Sequence, residues 1–243
     1  MAPGLRRGPA SARHPVAMAP LLPGLAAGVR AAAVEASAFW LPVACAGCGE
    51  LDVDVCEGCR ADLAPRVRRD VLVPGVEVVS ALEFDGVVAR MIRALKAEGR
   101  TGLARALAPA LAEALRAAPP AATVTTVPPS RAGDRRRGYR PVDLLARRAG
   151  ARPVPLLRLT RTAADQRGLG RAARRANVAG AFAVRALPPG PVVVVDDVLT
   201  TGATLGAAVA ALRAAGATEV TAVALARTPR RSGSTRESEV IET

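Results

Sequence analysis

A short segment, VVVVDDVLTTGATL from Val192 to Leu205, constrains the fold more than any other part of the chain. Its four valines predict a buried strand over Val192–Val195, because β-branched residues favour strands and a continuous apolar run suits a strand covered on both faces. Two acids, Asp196 and Asp197, stand where that strand is expected to end. The small residues that follow lead into an alanine-rich run, so the segment predicts a strand, a tight turn and a helix in immediate succession.

The turn after this strand has the composition of an anion-binding loop. Its candidate binding residues are Thr200, Thr201, Gly202, Ala203 and Thr204. A helix N-terminus offers unpaired backbone N–H groups and a partial positive charge, which suit a phosphate monoester. Because the two acids can accept hydrogen bonds from hydroxyls beside that phosphate, a sugar phosphate fits both halves of the segment. The alternative is an ordinary buried strand with acids at its exposed end.

All four cysteines fall in one 15-residue window, as Cys45-Ala-Gly-Cys48 and Cys56-Glu-Gly-Cys59. This spacing predicts a structural Zn²⁺ site with four thiolate ligands, Cys45, Cys48, Cys56 and Cys59. A module this small has no sufficient core of its own, so bound metal has to stabilise it. Disulfides and a redox pair are the alternatives; nothing else marks the chain as secreted, and one CxxC pair would suffice for redox chemistry.

The chain is strongly basic, with a formal net charge of +13 over 243 residues. This favours anionic partners such as phosphates or nucleic acid. All but one of the 34 basic residues are arginine, which also fits the codon bias of a GC-rich genome, and Lys96 stands out as the only lysine. Aromatic residues make up only 2% of the chain, so the core has to be built from Val, Leu and Ala. No apolar run is long enough to cross a bilayer.

Strand and helix patterns alternate along the rest of the chain. Further strands are predicted near Val76–Leu82, Thr123–Val127, Val154–Leu157, Ala181–Val184 and Val220–Ala226. Helices are expected between them, so the sequence predicts an α/β fold with a mainly parallel sheet flanked by helices. Ligands of such folds bind at the carboxyl ends of the strands, where the acid pair is expected.

The same patterns divide the chain into four parts. We expect a weakly ordered extension over 1–38, a zinc-finger module over 39–66, the α/β domain over 76–228 after a connector, and a disordered tail over 229–243. The small module and one full domain fit the length of the chain.

The motif around the acids resembles the 5-phosphoribosyl-1-diphosphate (PRPP) signature of type I phosphoribosyltransferases. The order of motifs from about Phe39 to Arg227 is similar to that of the ComF/GntX family, which are competence-associated phosphoribosyltransferase-like proteins. The matching pieces are the paired CxxC knuckle, FDG and LKAEG, VPPS, RRRGY, R-T-x3-Q, RRAN and DDVLTTGAT. The resemblance implies a type I phosphoribosyltransferase fold behind a zinc finger, and a link to DNA uptake. Purine-salvage members usually carry an aspartate where Thr200 stands, which argues against hypoxanthine or guanine as substrate.

By that resemblance, Asp196 and Asp197 bind the ribose hydroxyls and the loop from Thr200 to Thr204 binds the 5′-phosphate. The implied reaction is displacement of diphosphate from the anomeric carbon of PRPP by a nucleophile, assisted by Mg²⁺. The cationic candidates for contact with the diphosphate are Lys96, Arg135 and Arg137, and a solvated surface charge is the alternative for each arginine. The polar stretch from 158 to 177 is expected to act as a mobile lid. No motif identifies a general base or the acceptor.

Two other functions stay open from the sequence. The first is a PRPP-binding regulator without turnover, which the lack of an assignable base favours. The second is a protein that handles single-stranded DNA through the zinc finger and the basic loops, which the net charge favours and the scarcity of aromatic residues opposes. We expect a cytoplasmic protein, with peripheral association at the inner membrane face left open.

Overall fold

The structure is a computed structural model. It describes residues 43–129, 137–160 and 180–229, which fall in one compact unit that begins at Val43. The predicted extension over 1–38 lies outside the described residues, as does the predicted tail beyond Pro229.

A five-stranded sheet forms the centre of the described part of the chain. The described strands are β1 Arg68–Val73, β2 Val76–Glu83, β3 Thr123–Thr126, β4 Leu157–Leu159, β5 Phe182–Val184, β6 Val192–Leu199 and β7 Val220–Arg227. The strand order is β1-β2-β7-β6-β3; β2, β7, β6 and β3 run parallel, and β1 is antiparallel to β2. The mainly parallel sheet predicted from the sequence is confirmed.

Five α-helices lie in the described residues. They are α1 Glu57–Ala61, α2 Gly86–Arg93, α3 Leu103–Leu115, α4 Pro141–Arg148 and α5 Ala203–Ala214. A π-helical turn, Ala94–Glu98, continues α2 and ends at Gly99, whose φ of 72° is left-handed. π-helical turns are rare and occur often at functional sites, and this one carries Lys96.

The sheet is covered on both faces, and β6 shows how. Val193 and Val195 face the core formed with α2, α3, α4 and the cysteine-rich segment, whereas Val192 and Val194 face α5 and the β4–β5 pair. None of the four valines is more than 1% exposed. Side chains alternate across a strand, so a run of four valines suits a strand that is buried on both sides.

The central strand β6 is longer than predicted. The sequence indicated that it ends at Val195, before the acids, but main-chain pairing with β7 continues as far as Leu199 opposite Arg227. β3, on the other side, ends opposite Val195. Backbone hydrogen bonds need no apolar side chain, so pairing continues through the acids after the apolar run has stopped.

Two other predictions of strands need correction. The strand expected near Val154–Leu157 lies at β4 instead, and it pairs with β5 in a separate antiparallel ribbon rather than in the parallel sheet. The stretch expected to be a connector before residue 76 contains β1, an exposed edge strand with Val71 74% exposed. Its weak apolar pattern hid it from sequence analysis.

Candidate functional site

The acid pair lies at the carboxyl edge of the sheet, on the part of β6 that β3 no longer covers. Asp196 is half-buried, and Asp197 is only 5% exposed. The Asp197 backbone N–H donates to Asp196 Oδ1 over 2.9 Å. Lys96 Nζ lies 2.5 Å from Asp197 Oδ2. The structure thus brings together Lys96 and both acids, which are a hundred residues apart in the sequence.

Lys96 is presented by the π-helical turn, and the RRRGY segment holds that turn in place. The Arg137 Nε–H donates to the Lys96 carbonyl over 2.7 Å, and the Tyr139 hydroxyl donates to the Leu95 carbonyl. A π-helical turn leaves main-chain groups outside the regular helical pattern, and these side chains pair with two of its carbonyls. Arg137 therefore positions the backbone of Lys96, besides being a candidate ligand contact itself.

A cavity of about 210 Å³ adjoins the acid pair; we call it the acid-side cavity. It is lined by Lys96, Val127, Pro128, Pro129, Arg137, Arg140, Pro141, Val142, Asp143, Asp196 and Asp197. Three of these are basic and three acidic. The Thr126 hydroxyl donates to Asp143 Oδ1, which fixes this third carboxylate at the end of β3. A polar cavity with several charged groups at the ends of parallel strands is a candidate ligand site.

The carboxyl of Asp196 has a strongly perturbed pKa. Burial, and next to it the negative charge of Asp197, raise the pKa of the Asp196 carboxyl to about 8. Asp196 therefore keeps a proton at neutral pH in the ligand-free protein, and Lys96 balances the charge of Asp197. A protonated Asp196 carboxyl can both donate to and accept from the hydroxyls of a sugar.

The loop between β6 and α5 needs glycine at one position. Gly202 has a φ of 77°, and a Cβ built there would stand 2.6 Å from Leu72 Cδ1 of β1. The Ala203 backbone N–H contacts Thr201 Oγ1 at 3.4 Å, at the first residue of α5. A left-handed residue directly before a helix turns successive N–H groups towards one point, where they can bind an anion.

A second cavity, of about 260 Å³, lies beside this loop; we call it the loop-side cavity. It is lined by Asp70, Val71, Leu72, Val78, Leu199, Thr200, Thr201, Gly202, Arg227, Thr228 and Pro229. The acids and the loop thus each adjoin a cavity, within eight residues of one another along the chain.

Sequence analysis missed three charged residues around these cavities: Asp143, Asp70 and Arg227. Asp143 lies in the first turn of α4, just after the RRRGY segment. Arg227 ends β7 and Asp70 belongs to the edge strand β1. Arg227 could have been found, because it ends the strand that follows the motif helix and so reaches the same edge of a parallel sheet. Asp70 could not, since nothing in its segment predicted a strand.

A larger, arginine-rich groove of about 900 Å³ lies between the cysteine-rich segment, α3 and α4. Its arginines are Arg60, Arg105, Arg140, Arg147 and Arg148, all of them exposed. Arg140 and Asp143 line both this groove and the acid-side cavity. The two spaces therefore meet at the start of α4.

The four cysteines come together as predicted. Their Sγ atoms all lie within 4.8 Å of one another. A tetrahedral Zn²⁺ with Zn–S bonds of about 2.3 Å would place its sulfurs about 3.8 Å apart, so the cluster fits this ion with a small contraction. Gly47 is required here, because a Cβ at that position would clash with Cys59 Sγ.

The pKa values of two thiols in this cluster are shifted in opposite directions. Burial by itself raises the pKa of the Cys45 thiol, but backbone N–H groups, including those of Cys56 and Gly47 at 3.4 Å, outweigh it and lower the pKa to about 6. Burial, and then the neighbouring cysteines, raise the pKa of Cys59. One favoured thiolate among crowded thiols is a donor set that a divalent cation would stabilise.

The cysteine-rich segment packs directly on the main fold. Cys45, Cys56 and Cys59 lie in the same apolar core as α2 and α3. The Arg90 side chain donates to the Gly47 carbonyl, and Arg100 donates to the Ala44 carbonyl over 2.8 Å. Metal binding in this segment is thus coupled to the packing of α2, the helix that leads to Lys96.

Some predicted site residues cannot be placed. Arg135 lies outside the described residues, and so do residues 161–177 of the lid predicted over 158–177. Within the described ranges, no helix has the length and apolar character that a membrane span needs.

Comparison with known families agrees with this geometry. Residues 135–241 match the family model of the phosphoribosyl transferase domain. The matched part includes Arg137, the acid pair and the loop, but neither Lys96 nor the cysteines. No curated protein matches the chain. This match supports the resemblance to phosphoribosyltransferases, while the narrower resemblance to ComF/GntX stays a prediction. Residues 135–241 are therefore similar to a phosphoribosyl transferase domain, and a four-cysteine cluster that could hold a zinc ion precedes them.

Proposed function

We propose that this protein binds PRPP with Mg²⁺ and transfers its phosphoribosyl group to a nucleophilic acceptor. The observation that supports this best is the placement of the acid pair and the glycine-containing loop. The acid pair lies near the carboxyl end of β6, the loop follows that strand directly, and each adjoins its own cavity. A ribose with a phosphate on one side and a diphosphate on the other matches that arrangement.

In this proposal, Asp196 and Asp197 orient the ribose through its 2′- and 3′-hydroxyls. Backbone N–H groups and hydroxyls of the loop Thr200–Thr204 hold the 5′-phosphate. Lys96, Arg135 and Arg137 contact the diphosphate; the first and third line the acid-side cavity.

The reaction breaks the bond between the anomeric carbon and the diphosphate oxygen, and the acceptor forms the new bond to that carbon. The leaving diphosphate takes the electron pair, so cations beside it lower the barrier. The carboxylate oxygens of the acid pair suit Mg²⁺, reached through water, and Mg²⁺ bound with PRPP would neutralise charge on the leaving group. The residues named here supply binding and orientation.

Calorimetric titration with PRPP and Mg²⁺ tests the binding step. The parent should bind, and Asp196→Asn/Asp197→Asn should lose most of the affinity because neither amide can ionise to bind Mg²⁺ or accept through two oxygens. Glu219→Gln is the matched control, since this exposed residue precedes β7 at the opposite edge of the sheet. A parent protein that ignores PRPP would contradict the proposal.

Release of diphosphate separates an enzyme from a regulator. Candidate acceptors added with PRPP and Mg²⁺ should release diphosphate from an enzyme, and the acid-pair variant should abolish that release. A protein that binds PRPP but releases none with any acceptor is the regulator that the sequence left open.

We further propose, as a second function, that the protein handles single-stranded DNA in natural transformation, as the ComF/GntX resemblance implies. The arginine-rich groove supports it, because its five guanidinium groups suit a phosphate backbone. Oligonucleotide affinity should fall steeply with salt, and Arg147→Glu/Arg148→Glu should weaken it far more than the exposed control Arg185→Glu. Equal losses of oligonucleotide affinity in the two variants would contradict a role of the groove in DNA binding.

We also propose that the four cysteines bind Zn²⁺ as a structural ion, in a protein of the cytoplasm. The proximity of the four sulfurs supports the metal. Elemental analysis should find about one zinc per chain, and a Cys45→Ser/Cys59→Ser variant should contain none.

A further inference from the structure

Ion pairs within the described residues differ greatly in their exposure. In four of them, at least one of the two side chains is 53% exposed or more. The remaining two, Lys96–Asp197 and Arg227–Asp70, are the least exposed, and both involve the carboxyl edge of the sheet. Burying a charged pair costs desolvation that its attraction often fails to repay, so stability alone is a weak reason for such a pair. Functional sites are a common reason.

The Arg227–Asp70 pair lies beside the loop and not beside the acids. Arg227 pairs in the sheet with Leu199, the residue directly before Thr200 of the loop. The next residue, Thr228, donates its backbone N–H to the Leu199 carbonyl over 2.9 Å. Arg227 is therefore fixed to the strand that enters the loop, and its side chain lines the loop-side cavity with Thr201 and Gly202.

The guanidinium of Arg227 has donors left over. Its Nη1 lies 2.8 Å from Asp70 Oδ2, and the two side chains are 12% and 17% exposed. A guanidinium has five N–H donors, and within the described residues no further hydrogen bond of Arg227 is found. One donor thus orients the group, and Arg227 also lines the cavity that Thr200, Thr201 and Gly202 of the loop line.

We propose that Arg227 is a phosphate-binding residue of this site, and that Asp70 of the edge strand positions it. This rests on the proposed function and adds to it a phosphate contact from outside the loop. The loop supplies neutral backbone donors and hydroxyls, whereas Arg227 supplies a full positive charge in a fork that matches phosphate oxygens. The edge strand β1, which sequence analysis did not find, then has a role in the site.

Ribose 5-phosphate and inorganic diphosphate, titrated separately by calorimetry, test this inference. Arg227→Gln should weaken ribose 5-phosphate by about 10- to 100-fold, the size of a lost charge-assisted hydrogen bond. The same variant should leave diphosphate affinity within about twofold, because diphosphate is expected in the acid-side cavity. Asp70→Asn should weaken ribose 5-phosphate by a smaller factor, since the guanidinium remains but is less firmly oriented.

Arg213→Gln is the matched control. Arg213 is exposed on the last turn of α5 and donates to the carbonyls of Pro74 and Gly75, at the turn between β1 and β2. It therefore joins the same hairpin to the fold, away from the loop, and its removal should leave both affinities unchanged. Thermal unfolding of each variant shows whether the fold persists. If Arg227→Gln does not fold, Arg227→Lys replaces it in the test. Because lysine keeps the charge but not the fork of donors, Arg227→Lys should bind ribose 5-phosphate more weakly than the parent but retain part of the affinity.

The outcomes are distinct. If the parent binds ribose 5-phosphate and the folded Arg227 variants bind it equally well, this inference is wrong and the proposed function stands. An equal loss for ribose 5-phosphate and diphosphate would also overturn it, because it would show a general structural effect. If the parent binds neither ligand nor PRPP, both the inference and the proposed function fail.

Discussion

The ion pair between Lys96 and Asp197 leads to a quantitative prediction, because its two partners are buried to different extents. The side chains are 36% and 6% exposed, and the charged atoms are 2.5 Å apart. At that distance Coulomb's law gives about 7 kcal/mol for an effective dielectric constant of about 20, and about 2 kcal/mol in bulk water. Desolvation of the carboxylate offsets much of either figure, and solvent around the lysine screens the pair further.

The loss in free energy of unfolding therefore depends on which partner of the ion pair is removed. Lys96→Met leaves a buried carboxylate uncompensated, which we expect to lower the free energy of unfolding by about 2–4 kcal/mol. Asp197→Asn leaves an ammonium group that can reach solvent, so its cost should be about 1 kcal/mol. The double variant should be more stable than Lys96→Met alone, because no unpaired buried charge remains.

Urea denaturation of the zinc-loaded protein at neutral pH, followed by circular dichroism, measures these differences. Arg69→Met is the control: its ion pair with Glu77 has side chains that are 53% and 44% exposed, so the cost should stay below about 0.5 kcal/mol. Equal costs for the two single variants, or a double variant whose cost is their sum, would refute the claim that burial of Asp197 sets the energy.

Three further predictions concern the metal, the loop and the acids. Removing bound zinc with a strong chelator should lower the melting temperature, since the cysteines share a core with α2 and α3; a protein that contains zinc but melts identically without it would contradict this. Gly202→Ala should lower the free energy of unfolding by at least about 1–2 kcal/mol, because Gly202 has a left-handed φ and an added Cβ would clash with Leu72. Gly206→Ala is the control: it lies inside α5, where an added Cβ would stand 3.7 Å from Val73, and it should be neutral or stabilising. Urea denaturation measures both. Because the pKa of Asp196 is raised to about 8, the folded state holds a proton that the unfolded chain releases near pH 4, so stability should decline as pH rises between these values. Asp196→Asn should flatten that decline in denaturation curves measured at several pH values, and an unchanged slope would count against the shift.

The parts of the fold that were predicted correctly depend on local chemistry. Four consecutive valines can be covered on both faces only inside a layered fold, so the position of β6 followed directly from the sequence. Gly202 before an alanine-rich run fixed the start of α5 to within a residue or two. The clustering of the cysteines required only the CxxC spacing, because few structures bring four thiols so close in a short segment.

The parts that were missed depend on pairing between distant segments. No residue near Asp196 indicates that β7 is long enough to pair with β6 beyond the acids. β1 is an edge strand that starts with Arg68, Arg69 and Asp70, and an edge strand has only one pairing partner to favour it over a loop. Lys96 was singled out from composition alone. Its contact with Asp197 depends on the π-helical turn, which no local pattern predicts.

The Lys96–Asp197 ion pair also affects how the site would recognise the proposed ligand. A ribose hydroxyl that bonds to Asp197 has to compete with the ammonium group for the same carboxylate. If PRPP binds as proposed, the released ammonium would face its diphosphate in the acid-side cavity, which Arg137 also lines. With ribose 5-phosphate the ammonium gains no such partner, so breaking the ion pair is not compensated. The site should therefore discriminate between the two ligands by more than the direct contacts of the diphosphate alone, and Lys96 would couple recognition of the sugar to recognition of the leaving group.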